Sequence, residues 1–372
     1  MSGNPTGDLA IRFEHVEKRF PGAARPAVTD LTLDVASGEL VALVGPSGCG
    51  KTTTLRMVNR LEEPTGGRLE VGGVDVRSVP AHELRRGIGY VIQQTGLFPH
   101  RTIAANIATV PVLLGWDKAR IAARVDELVE LVGLDPELLA RYPAALSGGQ
   151  QQRVGVARAL AADPPVLLMD EPYSAVDPIV RAHLQDELLA LQRRLRKTVV
   201  LVTHDIDEAI KLADRVAILN VGGIVEQYAA PADLLRVPAN EFVASFLGRE
   251  RALRRMALLA VADASPREGP VVAPTATVEE ARRVMAEHHV DWIGVLDGRR
   301  IEGWVAADEL DGHRTVGELT PRRFAAWVGL DTPLREALDM IVDSRTRVAV
   351  VLDGTYRGMV SIDDIADAMA AR

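Results

Sequence analysis

The chain of 372 residues has a single cysteine, Cys49, so no disulfide can form within it. That usage fits a reducing cytosol rather than an oxidising compartment. No apolar stretch approaches the roughly 20 residues needed to span a bilayer. The opening Met1-Ser-Gly-Asn-Pro-Thr-Gly-Asp8 lacks the apolar core of a signal peptide. Excess positive charge is missing as well: the formal net charge is -8, which argues against a dedicated nucleic-acid binder. What is present is ordinary core material. Hydrophobic residues make up 47% and charged residues 25%, enough for two or three soluble domains.

The stretch that organises the chain is Gly45-Pro-Ser-Gly-Cys-Gly-Lys51-Thr52. An apolar run, Leu40 to Val44, leads into it, and a helical pattern, Thr53 to Leu61, leads out. Strand, glycine-rich loop and helix is the context in which G-x-x-x-x-G-K-[ST] predicts a phosphate-binding loop. Backbone N–H groups curl round an anion, and the helix N-terminus adds partial positive charge. Lys51 is placed to reach the outer phosphates and the Thr52 hydroxyl to ligate Mg²⁺. Cys49 reads as a small loop residue rather than a redox sensor.

Along the chain, apolar strand-like runs alternate with helical patterns, which predicts a parallel α/β core. Val166 to Met169 and Thr198 to Val202 are wholly apolar, as expected of strands buried on both faces. Ile103 to Leu114, Lys118 to Val132 and Pro136 to Ala140 have helical spacing with little strand content, so residues of about 102–160 form a helical insertion. Residues 248–258, with Arg249, Arg251, Arg254 and Arg255, read as a linker helix, either a solvated face or a contact with anionic lipid or a partner. The remainder repeats itself. Leu296-Asp-Gly298 recurs as Leu352-Asp-Gly354, and Gly303-Trp-Val-Ala306 as Gly358-Met-Val-Ser361. Two small units, 259–313 and 314–372, are predicted, packed together because neither buries its apolar face alone.

Three further segments narrow the chemistry. Val166-Leu-Leu-Met-Asp170-Glu171 ends a buried strand in two carboxylates. Asp170 is placed to organise Mg²⁺, and Glu171 to polarise a water for in-line attack on a γ-phosphate. His204 follows the next apolar strand, at the sheet edge where ligands of open α/β sheets gather. Leu146-Ser-Gly-Gly-Gln150 is a second helix N-terminus with free amides. One such site suffices for one triphosphate, so the second points to a nucleotide held by another copy.

Taken together in this order and spacing, the loop, Leu146-Ser-Gly-Gly-Gln150, Asp170-Glu171 and His204 resemble the ATPase subunit of an ABC transporter, over residues 9–247. The resemblance implies a P-loop ABC core of mixed, mainly parallel sheet, with ATP and Mg²⁺ as ligands. The ATP-binding set is then Phe20, Gly45, Pro46, Ser47, Gly48, Cys49, Gly50, Lys51, Thr52 and Thr53. Phe20 matches the aromatic that stacks on adenine, and Gln93 the Q-loop glutamine that senses Mg²⁺ and the attacking water, with Gln94 its rival. Ser174-Ala-Val-Asp177 matches the D-loop, which crosses the dimer interface. Two subunits sandwich two ATP molecules, with Ser147, Gly148, Gly149 and Gln150 meeting the nucleotide of the partner. Gly96-Leu-Phe-Pro-His100, Leu55-Arg-Met-Val-Asn-Arg-Leu61 and the helix after His204 look like subunits of glycine betaine, carnitine and choline importers. The partners implied are a second ATPase subunit, two membrane-spanning permeases and a substrate-binding protein, with the subunit peripheral on the cytoplasmic face of the membrane. Importers of another small solute such as an amino acid, and soluble non-transport ABC ATPases, are the alternatives.

The terminal repeat is similar to a tandem CBS (cystathionine-β-synthase) module, an α+β fold with a regulatory role. In such modules a Gly-x-x-Ser/Thr-x-x-Asp run holds an adenosine ribose. The second repeat keeps it as Gly358, Ser361 and Asp364, so one adenine nucleotide is expected there. The first has Ala306 and Glu309 instead. Purely structural pairing of the repeats is the other reading.

Overall fold

The computed structural model describes residues 8–93, 96–174 and 176–371. The chain divides into two compact units between Leu247 and Gly248.

The first unit opens with β1 (Leu9–Lys18), β2 (Val28–Ala36) and β3 (Leu40–Val44), followed by the phosphate loop and α1 (Lys51–Val58). Next come β4 (Gly66–Val71), β5 (Val74–Asp75), α2 (Ala81–Arg86) and β6 (Ile88–Val91). A block of helices follows: α3 (Ile103–Ile107), α4 (Thr109–Leu113), α5 (Lys118–Leu131) and α6 (Gly148–Leu160). The chain then alternates through β7 (Val166–Asp170), α7 (Pro178–Leu195), β8 (Thr198–Val202), α8 (Ile206–Leu212), β9 (Arg215–Asn220) and β10 (Ile224–Ala229). Two helices, α9 (Pro231–Arg236) and α10 (Glu241–Leu247), close the unit.

The strands form two sheets. One is antiparallel, in the order β2-β1-β4-β5. The other has six strands, β10-β9-β3-β8-β7-β6, all parallel except β10. Every residue of β3, β7 and β8 is buried, because helices or the other sheet cover both faces. Successive residues of these strands point to opposite faces, so the core is double. Leu40, Ala42 and Val44 pack with the helical block around Ile107, Leu128 and Val154. Val41 and Leu43 pack with Phe13, Leu55 and Leu69 beneath the antiparallel sheet.

Several elements differ from the sequence reading. The helix after the phosphate loop starts at Lys51 and stops at Val58, leaving Leu61 exposed. Residues 103–114 form two helices rather than one, with Ala108 between them. Pro136–Ala140 is a 3-10 turn capped by Asp135. Expectations for residues 1–7, Gln94, Thr95, Ala175 and Arg372 fall outside the described residues.

The second unit begins at Gly248. The Arg-rich linker read at residues 248–258 is helical from Arg251 onward. The backbone breaks at Gly248, whose φ of 73° lies in the left-handed region, and α11 (Arg251–Leu258) begins afresh. Met256 and Leu259 then pack on the core of the second repeat. The first repeat contributes β11 (Val271–Val272), α12 (Val278–Glu287), β12 (Trp292–Asp297) and β13 (Arg300–Ala306). The second contributes β14 (Trp327–Gly329), α13 (Leu334–Asp343), β15 (Val348–Asp353), β16 (Thr355–Ser361) and α14 (Ile362–Ala371).

The repeats exchange their leading segments. Val261 and Ala264 are buried against Val328, Ile341 and Val360 of the second repeat. The Val261 N–H donates to the Thr332 carbonyl, and Arg267 and Met359 exchange backbone hydrogen bonds of 3.1 and 2.7 Å. Conversely, Val316 is buried in the first repeat's core, and Arg322 and Trp304 exchange two bonds of 2.8 Å. Each packed body therefore includes a segment from the other period, 259–313 or 314–372. Sequence repetition locates the period but not which copy a leading segment packs against.

Candidate active site

Sheet order decides what can meet. Because β3 lies beside β8 and β8 beside β7, the loops after all three strands open at one edge. The phosphate loop follows β3, Asp170 ends β7, and His204 comes two residues after β8.

The loop closes tightly on the sheet. A Cβ on Gly45 would collide with the Leu219 carbonyl, and one on Gly50 with that of Ala27; their φ values of 154° and 107° also disfavour other residues. Lys51 is buried, and its ammonium donates to the Gly45 carbonyl at 2.7 Å and the Pro46 carbonyl at 3.1 Å. Cys49 is fully buried. Thr53 follows within α1.

The Thr52 hydroxyl donates to Asp170 Oδ1 at 3.0 Å. Tyr90 OH donates to Asp170 Oδ2 at 3.3 Å, and Arg56 Nη2 lies 3.9 Å from the same oxygen. Sequence reasoning missed Tyr90 and Arg56. Tyr90 reaches the site only because β6 runs parallel beside β7, and no motif announces that. Burial, with the Asp170 charge adding to it, raises the Tyr90 phenol above its ordinary range, so it remains a donor.

Glu171 leaves the strand with φ 45°, a left-handed conformation that costs a non-glycine residue roughly 1 kcal/mol or more and tends to collect at functional sites. Its Oε2 accepts from Gln93 Nε2 at 3.0 Å and lies 3.4 Å from His204 Nδ1. The structure thus brings Lys51, Thr52, Gln93, Asp170, Glu171 and His204 to one edge. The oxygens of Thr52, Gln93 and Asp170 are hard donors. With phosphate and water completing the shell, they fit Mg²⁺, which takes few protein ligands.

Other candidates stand apart from this cluster. Phe20 is partly exposed, with the Lys18 ammonium 4.7 Å from its ring centroid. Ser147 caps α6: its Oγ accepts from the Gln150 N–H, while its own N–H donates to Gln150 Oε1. Gly148 and Gly149 are helical, and Gly148 is exposed. Among the described residues no hydrogen bond joins this segment to the phosphate loop. Asp177 caps α7, accepting from the N–H groups of Ile179 and Val180. In the second unit, Ser361 Oγ donates to Asp364 Oδ2 at 2.7 Å, and Arg267 Nε lies 3.2 Å from Asp364 Oδ1. A Cβ on Gly358 would strike the Arg267 backbone. The first repeat has the same plan despite its different residues: the Ala306 N–H donates to Glu309 Oε2, and Arg322 pairs with Oε1.

The ABC transporter family pattern matches residues 28–174, and the CBS domain pattern matches 261–311 and 316–371. The osmoprotectant import ATP-binding protein OsmV of Salmonella typhimurium is 46% identical over 97% of this chain and 96% of its own. The chain belongs to the ATP-binding subunits of ABC transporters. A second relative of this ABC subunit is the glycine betaine/carnitine/choline transport ATP-binding protein OpuCA of Bacillus subtilis. It is 49% identical, over 82% of this chain and 80% of its own. Among solved structures, a dimeric post-hydrolysis ATP-binding cassette bound to ADP and Pi matches with a TM-score of 0.54 at 32% identity. The match covers 59% of this chain and 98% of that one. The first unit is therefore an ATP-hydrolysing cassette, of a kind that dimerises and works with membrane permeases, and the second is a tandem CBS module. Among the described residues no helix is long and apolar enough to cross a membrane.

Proposed function

We propose that this subunit drives import of a quaternary-amine compatible solute such as glycine betaine, carnitine or choline. The observation that carries the reading is the match to an osmoprotectant importer subunit along nearly the whole chain, CBS module included. Peripheral attachment to two permeases at the cytoplasmic face of the membrane, with a substrate-binding protein outside, completes the assembly.

In this mechanism Lys51 and the loop amides hold the β- and γ-phosphates. Thr52, Asp170 and Gln93 hold Mg²⁺, which when bound neutralises charge on the transferring phosphoryl group. Glu171 accepts a hydrogen bond from the attacking water and directs it at the γ-phosphate, while Gln93 and His204 fix the carboxylate at its present position. Phe20 stacks on adenine. Ser147, Gly148, Gly149 and Gln150 of a second subunit complete the site, and Asp177 lies at that interface. Catalysis is mostly positioning and charge stabilisation.

The test is ATP hydrolysis by the subunit reassembled with its permeases in vesicles. Quaternary amines are expected to stimulate turnover and amino acids to leave it unchanged; the reverse result removes the substrate assignment. For the CBS module, Gly358, Ser361 and Asp364 form the candidate site for an adenine nucleotide. Calorimetry with AMP should show binding that Asp364→Ala weakens while basal hydrolysis is kept. Absence of binding to the wild type leaves the module a structural one.

A further inference from the structure

Glu208 lies in the first turn of α8, four residues beyond His204, and is only 6% exposed. It does not cap the helix. Asp205 does that, accepting from the N–H groups of Asp207 and Glu208. Instead, Glu208 Oε2 accepts the Thr203 hydroxyl at 2.7 Å. The same hydroxyl oxygen accepts the Asp205 N–H at 3.0 Å. The Thr203 N–H donates to the Leu43 carbonyl, on the strand that carries the phosphate loop. His204 therefore stands between two residues joined through one hydroxyl, and Glu208 dictates where that hydroxyl's proton points.

The other oxygen, Oε1, is buried without a protein partner, and so is Nε of Arg181 on α7. Buried polar groups are nearly always satisfied, so two orphans of opposite charge around one loop require a reason. Arg181 already spans the two turns in question. Its Nη2 donates to the Val176 carbonyl at 3.1 Å, and its Nη1 lies 3.7 Å from Asp205 Oδ2. A glutamine at 208 would offer the Thr203 hydroxyl only a neutral acceptor, weaker than an ionised carboxylate, and the chain carries a carboxyl here despite the penalty of burying it. Favourable charge at the start of α8 is already supplied by exposed Asp207.

We propose that Glu208 is a positioning residue for hydrolysis: through the Thr203 hydroxyl it holds the His204 loop, and with Arg181 it couples that loop to the Val176–Asp177 turn. The proposal rests on the role given to His204 above. Burial pushes the Glu208 carboxyl up to about 7; the Thr203 hydrogen bond opposes this, Asp205 adds to it, and Arg181 and His204 oppose it. Tyr173, in the turn after Glu171, is a further titratable group that interacts with it. The ionised form directs the Thr203 proton toward itself. The protonated form carries its own proton and releases that constraint, so the loop loosens as pH falls through about 7.

The experiment is steady-state ATP hydrolysis by the full-length subunit between pH 6 and 8.5. Glu208→Gln should lower kcat about tenfold at pH 8 with KM for ATP unchanged, as expected for a displaced catalytic loop. The ratio of wild-type to variant kcat should fall to near one at pH 6, where both carry a neutral group. Thr203→Val should lower kcat similarly and Thr203→Ser should restore it; these two variants carry the test if Glu208→Gln fails to fold. A ratio of one at every pH overturns the proposal. So does a loss that is independent of pH and accompanied by a raised KM, the signature of a merely structural group. His204→Ala separates the two readings. If it hydrolyses ATP at the wild-type rate, the role of His204 falls and this one with it. If it loses turnover while Glu208→Gln does not, only Glu208 is misassigned.

Discussion

Glu171 is the most constrained side chain of the site. A left-handed backbone points it at the sheet edge, and Gln93 and His204 both lie on Oε2, the oxygen proposed to meet the attacking water. Glu171→Gln keeps the shape and loses the acceptor charge. Turnover should fall at least about 100-fold while ATP is still bound, checked by filter binding beside a phosphate-release assay. Wild-type turnover by this variant would remove the role assigned to it. Glu208 makes a different prediction, about stability. Its folded carboxyl holds a proton up to about 7, against an ordinary value of 4.5. The folded state is thus penalised progressively as pH rises through that window, by roughly 3 kcal/mol once the carboxyl is fully ionised. Glu208→Gln lacks the penalty, so its thermal midpoint at pH 8 should exceed the wild type's by several degrees, with the gap shrinking at pH 5. The same substitution that slows turnover should stabilise the fold, a trade common at functional sites.

At the scale of elements, the parallel strands could be read from apolar runs, because burial on both faces forbids polar residues. Thr198–Val202 is the strand the spacing predicts, and Val166–Met169 extends only to Asp170. Helix ends were harder. Residues 103–114 carry a continuous apolar pattern, yet the chain turns at Ala108, a local event to which periodicity is blind. Caps are short-range and can be tested. Thr277 accepts the Glu280 N–H at the start of α12, and Glu280 returns the bond to the Thr277 N–H. Thr277→Ala should cost the CBS module about 1 kcal/mol in urea unfolding and leave ATP hydrolysis by the cassette intact. The phosphate loop, Asp170, Glu171 and His204 were legible because each must follow an apolar strand at fixed spacing. Tyr90, Arg56, Thr203 and Glu208 were not, because their roles depend on which strand lies beside which.

At the scale of the whole molecule, exchange of the leading segments makes each CBS repeat depend on residues outside its own period. Val261, in the first repeat by sequence, is buried in the core of the second. Val261→Asp should destabilise the second repeat by several kcal/mol. Hydrogen exchange should show lost protection in β15 and β16 while β12 and β13 keep theirs. Ser147–Gln150 makes no bond to its own phosphate loop among the described residues, as the proposed sharing of each ATP between two subunits requires. Specific ATPase activity of the subunit should therefore fall on dilution, the total rate rising more steeply than linearly with protein concentration.

The sequence by itself determined the local motifs: a glycine loop ending in a lysine and a hydroxyl, two carboxylates at a strand end, and two copies of a small fold. Each of these is local, set by a few consecutive residues whose conformational or charge requirements leave little choice. Tertiary structure alone decided the neighbourhoods: which strand end faces the loop, which tyrosine and arginine grip Asp170, which buried carboxyl steers the His204 loop, and which repeat receives each leading segment. Those depend on strand order and on packing between segments distant in the chain, and no spacing within one segment encodes them.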